Sequence, residues 1–312
     1  MSLVAFILIV TSAALHATWN LIAKKSHVDI AFYLFICMVA TTCWIHVQFW
    51  TPVHVLSLPA TFYLYAMLSV LCDAVLYCIG LKKTYEVMEM ATAYPIMRAT
   101  PILLTALVTA LFGLGTPIGW IARLGLLAVF AGALLMPLSR FSDFKPSRYL
   151  TWGMLFVLLA ACGTTGYTVF DSLALASLRK AAIQSVQHLD LKWQKPVLSL
   201  TYYNLRGILL TCTLWVEVLC LPRERASLAR LWRERTWMPF AAGIAASLTY
   251  SLVLLAMNYV TNVSYVQVFR QLGLPFGMLG GVLLLKEKAP PVKWAGVALI
   301  ITGLALTVLK FS

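Results

Sequence analysis

The chain alternates long apolar runs with short polar punctuation, and the runs set the reading. About twenty mostly apolar residues are needed for a helix to cross a bilayer. Ten stretches meet that length, at about 3–23, 29–50, 60–82, 88–112, 117–138, 150–172, 197–220, 237–258, 263–285 and 292–310. They are continuous rather than alternating, which excludes a membrane β-barrel. The expected fold is an all-α polytopic membrane protein of ten transmembrane helices. The first run follows Met1-Ser2 without a basic segment and lacks a cleavage site, so it reads as a retained span rather than a signal peptide.

Composition agrees. Of 312 residues, 61% are hydrophobic and 11% charged. A soluble domain carries about 25% charged residues because its surface faces water. A soluble enzyme, a disordered chain and a fibrous protein are therefore excluded. The net charge of +13 does not signal nucleic acid, because the basic residues sit between apolar runs and form no stripe. They read instead as topology signals. The loops after spans 1, 3, 5, 7 and 9, with the span ends Lys82 and Lys293 beside them, hold fifteen lysines and arginines, and the other side holds Arg179, Lys180, Lys192, Lys195 and the span end Lys310. The basic side of a membrane protein is cytoplasmic, so both termini are expected outside, in a plasma or inner cell membrane. The cysteines, Cys37, Cys43, Cys72, Cys78, Cys162, Cys212 and Cys220, lie nearly all inside apolar runs without a CxxC. They suit apolar filling rather than disulfides or a metal.

The two halves resemble each other. Gly125 and Gly132 match Gly296 and Gly303, Arg98 matches Arg270, Tyr33 matches Tyr203, and Trp19 matches Tyr167. Five spans per half reverse the orientation between halves. This is the inverted repeat that transporters use to rock about a midplane site. The expected repeats are 1–140 and 149–312. The second contains an extra segment at about 174–195, where Leu175, Leu178, Ala182, Val186 and Leu189 fall at helical spacing. That spacing predicts an amphipathic helix on the membrane surface, either an anchor or a lid.

Buried polar residues mark the candidate site, since a charge at the bilayer centre costs about 3 kcal/mol unless it faces a cavity or partner. In span 4, Tyr94, Arg98, Pro101 and Thr105 share a helix face. In span 9, Arg270 shares a face with Gln267 and Gln271, and Gly273 and Pro275 can open the helix just beyond. Pseudo-symmetry predicts that Arg98 and Arg270 approach one central cavity. Arg206 lies within span 7 with Tyr202 one turn before it, and Asp73 lies in span 3 with Ser69 and Tyr77 one turn to either side. Asp73 is the first candidate for proton coupling, and pairing with an arginine is its alternative role. Span 1 carries a Ser12, His16, Asn20 stripe beside Trp19, and His16 can titrate or simply hydrogen-bond. In span 6, Tyr167 and Asp171 are one turn apart. A span ending near 172 puts Asp171 at the outer interface, as a gate, a helix-end hydrogen bond or a substrate contact. Arg98, Arg206 and Arg270 outnumber the carboxylates, which favours an anionic or zwitterionic ligand over a cationic one. Arginine also suits carboxylate recognition.

Several motifs carry a family resemblance. His16-Ala17-Thr18-Trp19-Asn20 with Lys24-Lys25-Ser26 resembles the HAxWN…K(R/K)S opening of one EamA subgroup. Tyr94 to Pro101 resembles its YPLARGxxP motif, and Tyr167-Thr168-Val169-Phe170-Asp171 its YTxxD motif. The stretch from Arg270 through Gly280 and Lys286-Glu287-Lys288 to Gly303 resembles its closing signature. Gly113-Leu114-Gly115 stands where the first half of the family carries LGE, Ser172-Leu173 replaces a glycine-rich continuation after Asp171, and the long loop between spans 6 and 7 is unusual. The resemblance is to the drug/metabolite transporter superfamily. It implies ten helices in two EamA repeats and movement of small metabolites, often outward. The subgroup includes proteins associated with phosphonate use.

The expectation is a secondary transporter that exports a small anionic or zwitterionic metabolite: a carboxylate, phosphonate, phosphate or amino-acid-like compound. It would work by alternating access around an arginine-lined cavity. Arg98, Arg270, Tyr94, Gln267, Trp19, Asn20, Tyr77, Arg206 and Tyr202 are the candidate substrate contacts. Asp73, His16, Tyr167 and Asp171 are the candidates for proton coupling or gating. No cofactor, metal or nucleic acid is expected; the partners are the substrate and membrane lipids, and the run Gly273, Gly277, Gly280 and Gly281 could pack helices within one chain or between two copies in a homodimer. A flippase for an anionic lipid is the alternative. An intramembrane enzyme is remote, since HExxH, GxSG and GxGD are missing, and ATP hydrolysis is not expected without a Walker A motif.

Overall fold

The computed structural model describes residues 2–23, 29–88, 90–144, 151–185, 191–234, 237–286 and 289–308; within them the side chains of 17–23, 90–92, 94, 191–193, 284–285 and 308 are left out. All the α- and π-helical segments run in chain order: α1 (Leu3–Ala23), α2 (Ile30–Cys43), α3 (Ala60–Leu71), a π-helical turn (Cys72–Cys78), α4 (Ile79–Val87), α5 (Met90–Leu111), α6 (Trp120–Leu135), α7 (Trp152–Ser185), α8 (Leu191–Cys220), α9 (Pro222–Glu234), α10 (Met238–Met257), α11 (Ser264–Phe269), α12 (Gly273–Leu285) and α13 (Pro291–Val308). Among the described residues, Ile30–Phe49, Ala60–Val87, Trp152–Ser185 and Met238–Met257 are long and apolar enough to cross a membrane. A fifth forms if α8 is counted with α9, which leaves it at 109°. Leu3–His16, Pro95–Leu111, Trp120–Leu135 and Pro291–Thr307 are shorter apolar helices. Large apolar side chains such as Leu64, Leu107, Leu127, Leu155, Ile244 and Ile301 face outward. Lipid tails solvate such a surface, whereas a water-facing domain avoids wide apolar patches. The protein is all-α and of membrane type.

Helix–helix contacts are set by small residues. Lipid supplies no hydrophobic drive for helices to associate, so close backbone approach and van der Waals contact do the work. The most extensive pair is α6 with α13. A Cβ on Gly125 would lie 2.5 Å from the Gly303 carbonyl, and one on Gly303 would lie 2.6 Å from the Gly125 carbonyl. Gly132 and Gly296 face each other likewise, at 2.6 and 2.8 Å. The contact is antiparallel and reciprocal. Other pairings come in matched sets: α1 with α10 and α3 with α7, α1 with α12 and α5 with α7, α2 with α10 and α3 with α8.

The expected surface helix at 174–195 is not separate. α7 continues unbroken to Ser185, and α8 begins at Leu191. No glycine or proline interrupts the chain between Gly166 and Pro196. The apolar stripe is used inward, since Ala174, Leu175, Leu178 and Ala182 are buried in the main core. At 1.5 Å per residue, the 34 residues of α7 extend about 50 Å, well beyond a hydrocarbon layer of about 30 Å. Val186 and Leu189 of the expected stripe lie outside the described residues.

Two helix irregularities position the site. α7 turns Gly163 and Gly166 toward the π-helical turn, and a Cβ on Gly163 would lie 2.5 Å from Tyr77 N and 2.7 Å from Cys72 O. The widened turn fits only against that glycine face, and it carries Asp73. Such π-bulges are frequent at functional sites. In the last third of the chain, α11 passes through a 3₁₀ turn (Arg270–Leu272) into α12. Pro275 has no N–H for the Gln271 carbonyl one turn back, so the α-helical ladder fails there. The break begins at Arg270.

Candidate functional site

The centre of the molecule is an ion cluster built from α2, α3 with its π-helical turn, α7, α8 and α10. Arg206 of α8 is 4% exposed and Asp171 of α7 is fully buried. Arg206 Nη2 donates to Asp73 Oδ2 at 2.7 Å, and its Nε donates to Asp171 Oδ1 at 3.0 Å and to Ser69 Oγ at 2.9 Å. Asp171 Oδ1 also accepts from Tyr202 Oη at 2.5 Å and from the Ser69 hydroxyl, and its Oδ2 accepts from the Tyr250 hydroxyl. Asp73 Oδ1 accepts from Tyr33 Oη at 3.3 Å. The guanidinium is held between two carboxylates, and every carboxylate oxygen has a donor. A buried charge without such partners would be prohibitive in this setting.

Tyrosines surround the cluster. The Arg206 guanidinium carbon lies 5.5 Å from the ring centres of both Tyr167 and Tyr250. Arg270 lies 5.8 Å from the Tyr250 ring centre, so Tyr250 touches both arginines through its ring and Asp171 through its hydroxyl. Cation–π contact strengthens as water is removed. Tyr167 packs edge-on to Tyr77 and Tyr250, at 6.2 and 6.1 Å.

A cavity of about 180 Å³ opens beside the cluster, walled by His16, Tyr33, Asp73, Tyr77, Tyr167, Tyr203, Arg206, Tyr250 and Arg270 together with apolar groups such as Ile36, Cys37 and Leu210. That is roughly six water volumes, so its occupant is small. Asp73 reaches the wall, while Asp171 sits behind it.

The expected residues divide. Arg270, Arg206, Asp73, His16, Tyr77 and Tyr167 line the cavity. Arg98 is not among its lining residues. Its Nη2 donates to the Arg270 backbone carbonyl at 2.9 Å, and its own carbonyl accepts from Gln271 Nε2 at 2.9 Å. Arg98 thus fixes the 3₁₀ break that presents Arg270. Gln267 is buried against the Thr168 hydroxyl, and Tyr202 is buried against Asp171. The side chains of Trp19, Asn20 and Tyr94 lie outside the described residues. Asp171, expected as a gate or helix-end contact, is fully buried within the protein, and α7 runs on past it to Ser185. Asp73 and Asp171 together offset Arg206 and Arg270, while Arg98, turned to the Arg270 carbonyl, keeps the wider balance positive.

Tyr250, Tyr33 and Tyr203 were not among the expected site residues. The signal for Tyr250 was a polar run in an otherwise apolar span, Ser247, Thr249, Tyr250 and Ser251. Among the described residues no cluster of three or more metal-ligand side chains is present.

No family model matches the chain, and no curated protein matches it. Among solved structures, 25 chains are similar in fold. One, a crystal structure of a protein, aligns over 97% of both chains with a TM-score of 0.63 at 16% identity. At that identity the likeness shows a shared fold and nothing about activity.

Proposed function

We propose that the protein is a secondary transporter of a small zwitterionic or anionic metabolite, exported by alternating access, and that it belongs with the EamA-type members of the drug/metabolite transporter superfamily. The observation that carries this reading is the small cavity whose wall presents Arg270 and Asp73 among tyrosines. Arg270 has no carboxylate partner among the described salt bridges. It is the group to receive a ligand carboxylate, phosphonate or phosphate. Asp73 and the tyrosine faces suit an ammonium group. With Arg206 and Arg270 offset by Asp73 and Asp171, a zwitterion leaves the site neutral, which places it ahead of a plain anion.

Ten spans in two inverted five-helix repeats fit the matched helix pairings and the reciprocal α6–α13 glycine contact. That contact lies where a pseudo-two-fold axis would cross and suits a pivot. On this reading the α8–α9 end of the molecule is cytoplasmic and both termini face out. An epitope after Ser312 would then be labelled in intact cells; labelling only after permeabilisation would reverse the orientation. Proton coupling falls to Asp73, the carboxylate that reaches the cavity wall.

The test is thermal stability of the purified protein against a panel of amino acids, carboxylates, alkylphosphonates, organic cations and lipid headgroups. A ligand that binds the folded state raises Tm by mass action. Stabilisation by an amino acid, carboxylate or phosphonate, lost in Arg270→Ala, is expected. Stabilisation by organic cations alone would refute the reading.

A further inference from the structure

The cavity leaves one charged element unexplained. α9 lies at 109° to α8, across the end of the bundle rather than through it. Its inward face is spent on the protein. Leu231 is buried and, with Leu228, belongs to the apolar cluster that includes Ile30, Ala31 and Leu34 of α2. Glu224 is 2% exposed; its Oε2 accepts the Ala31 N–H at 3.1 Å and its Oε1 accepts Lys82 Nζ at 2.5 Å. Arg230 donates to Asp29 at 3.2 Å, and Asp29 in turn caps the start of α2 by accepting from Phe32 N.

What remains outward is mainly cationic and aromatic, with a single carboxylate, Glu234, at its end. Arg223, Arg225 and Arg233 are exposed, and no carboxylate pairs with them among the described salt bridges. Trp232 is 76% exposed, and Trp237, just beyond the helix, is 65% exposed. Arg225 and Trp232 are seven residues apart, two turns, and so share one flank of α9. An arginine beside an outward tryptophan, on a helix laid across the end of a membrane bundle, matches the headgroup layer. There the indole ring enters the acyl boundary while the guanidinium meets phosphate. A soluble acidic partner would satisfy the arginines but not the two tryptophans.

We infer that α9 is a docking surface for anionic phospholipid headgroups, with Arg223, Arg225 and Arg233 as the phosphate contacts and Trp232 as the interfacial anchor. The same helix holds the start of α2 through Glu224 and Arg230, and α2 carries Tyr33 to Asp73 in the cavity wall. Lipid at α9 therefore braces a wall of the cavity and stabilises the whole fold. The inference rests on the membrane placement and is independent of what the cavity carries.

The experiment titrates the full chain in mild detergent with phosphatidylglycerol, with phosphatidylcholine, and with inorganic phosphate alone, reading Tm. Phosphatidylglycerol is expected to raise Tm and the other two are not, with the rise shrinking at high salt as screening sets in. One basic residue at an anionic surface changes affinity roughly fivefold. The R223Q/R225Q/R233Q variant should lose on the order of a hundredfold in apparent lipid affinity while matching wild type in phosphatidylcholine. If the triple variant folds poorly, the single replacements are compared instead, each with its fivefold loss. Trp232→Ala, which keeps every charge, should weaken the phosphatidylglycerol response. An unchanged phosphatidylglycerol response in the arginine variants, or equal stabilisation by phosphatidylcholine or by inorganic phosphate, would overturn the inference.

Discussion

At the scale of single residues, the molecule turns on Arg206. It joins Asp73 and Asp171, which lie 133 and 35 residues away in the chain. Removing one partner of a buried ion group leaves the others uncompensated, at a cost of about 3–5 kcal/mol. Arg206→Gln should therefore lower stability sharply, whereas adding Asp171→Asn should recover part of that loss. A double-mutant cycle by thermal melting measures the coupling; additive losses would show that the two groups act independently. Tyr250→Phe keeps the ring against both arginines and deletes only the hydroxyl that donates to Asp171. Its cost is set at about 1–3 kcal/mol by the oxygen left without that donor, with the ring contacts unaffected.

At the scale of elements, glycine decides where helices can touch. Gly132 faces the Gly296 carbonyl, and a Cβ there would sit 2.6 Å from it. That atom is backbone and cannot step aside. Gly132→Leu should separate α6 from α13 and abolish a monodisperse, folded preparation. Gly277 in α12 has nothing within 4 Å of its Cβ position. There Gly277→Ala should be neutral or stabilising by up to about 1 kcal/mol, from the gain in helix propensity alone. Size-exclusion profiles and Tm of the two variants make the comparison. The irregular turns follow the same logic. The π turn at Cys72–Cys78 depends on the glycine face of α7, and the 3₁₀ turn at Arg270 depends on Pro275.

At the scale of the whole molecule, the transporter reading uses the paired charges for a change of state. Asp73 faces the cavity and holds Arg206 together with Asp171, so loading Asp73 with a proton or a ligand ammonium group loosens one of the two carboxylate contacts. On the transporter reading, Asp73→Asn should bind the stabilising ligand yet lose the pH dependence of its transport in proteoliposomes. Wild-type pH dependence in that variant would remove Asp73 from the coupling role. The sequence, for its part, makes the membrane character plain. Long apolar runs and scarce charge admit only helices in lipid, because every backbone polar group must be satisfied within its own segment.

The residue types of the site were also legible, since arginine, aspartate and tyrosine stand out in apolar spans. Their partners were not. Periodicity places Arg98, Arg206 and Arg270 at similar depths but says nothing of which cross-helix neighbour each meets. Only the tertiary structure turns Arg98 to a backbone carbonyl, Arg270 to a cavity and Arg206 to two carboxylates. The full burial of Asp171 was not legible for a related reason. An apolar run shows where a helix meets lipid, but α7 continues beyond its run because Ala174, Leu175, Leu178 and Ala182 pack into the protein core. Composition and period, which are local, marked the chain as apolar helices. Pairing, depth and net charge of the cavity depend on contacts between residues far apart in the chain, and only the packed fold brings those together.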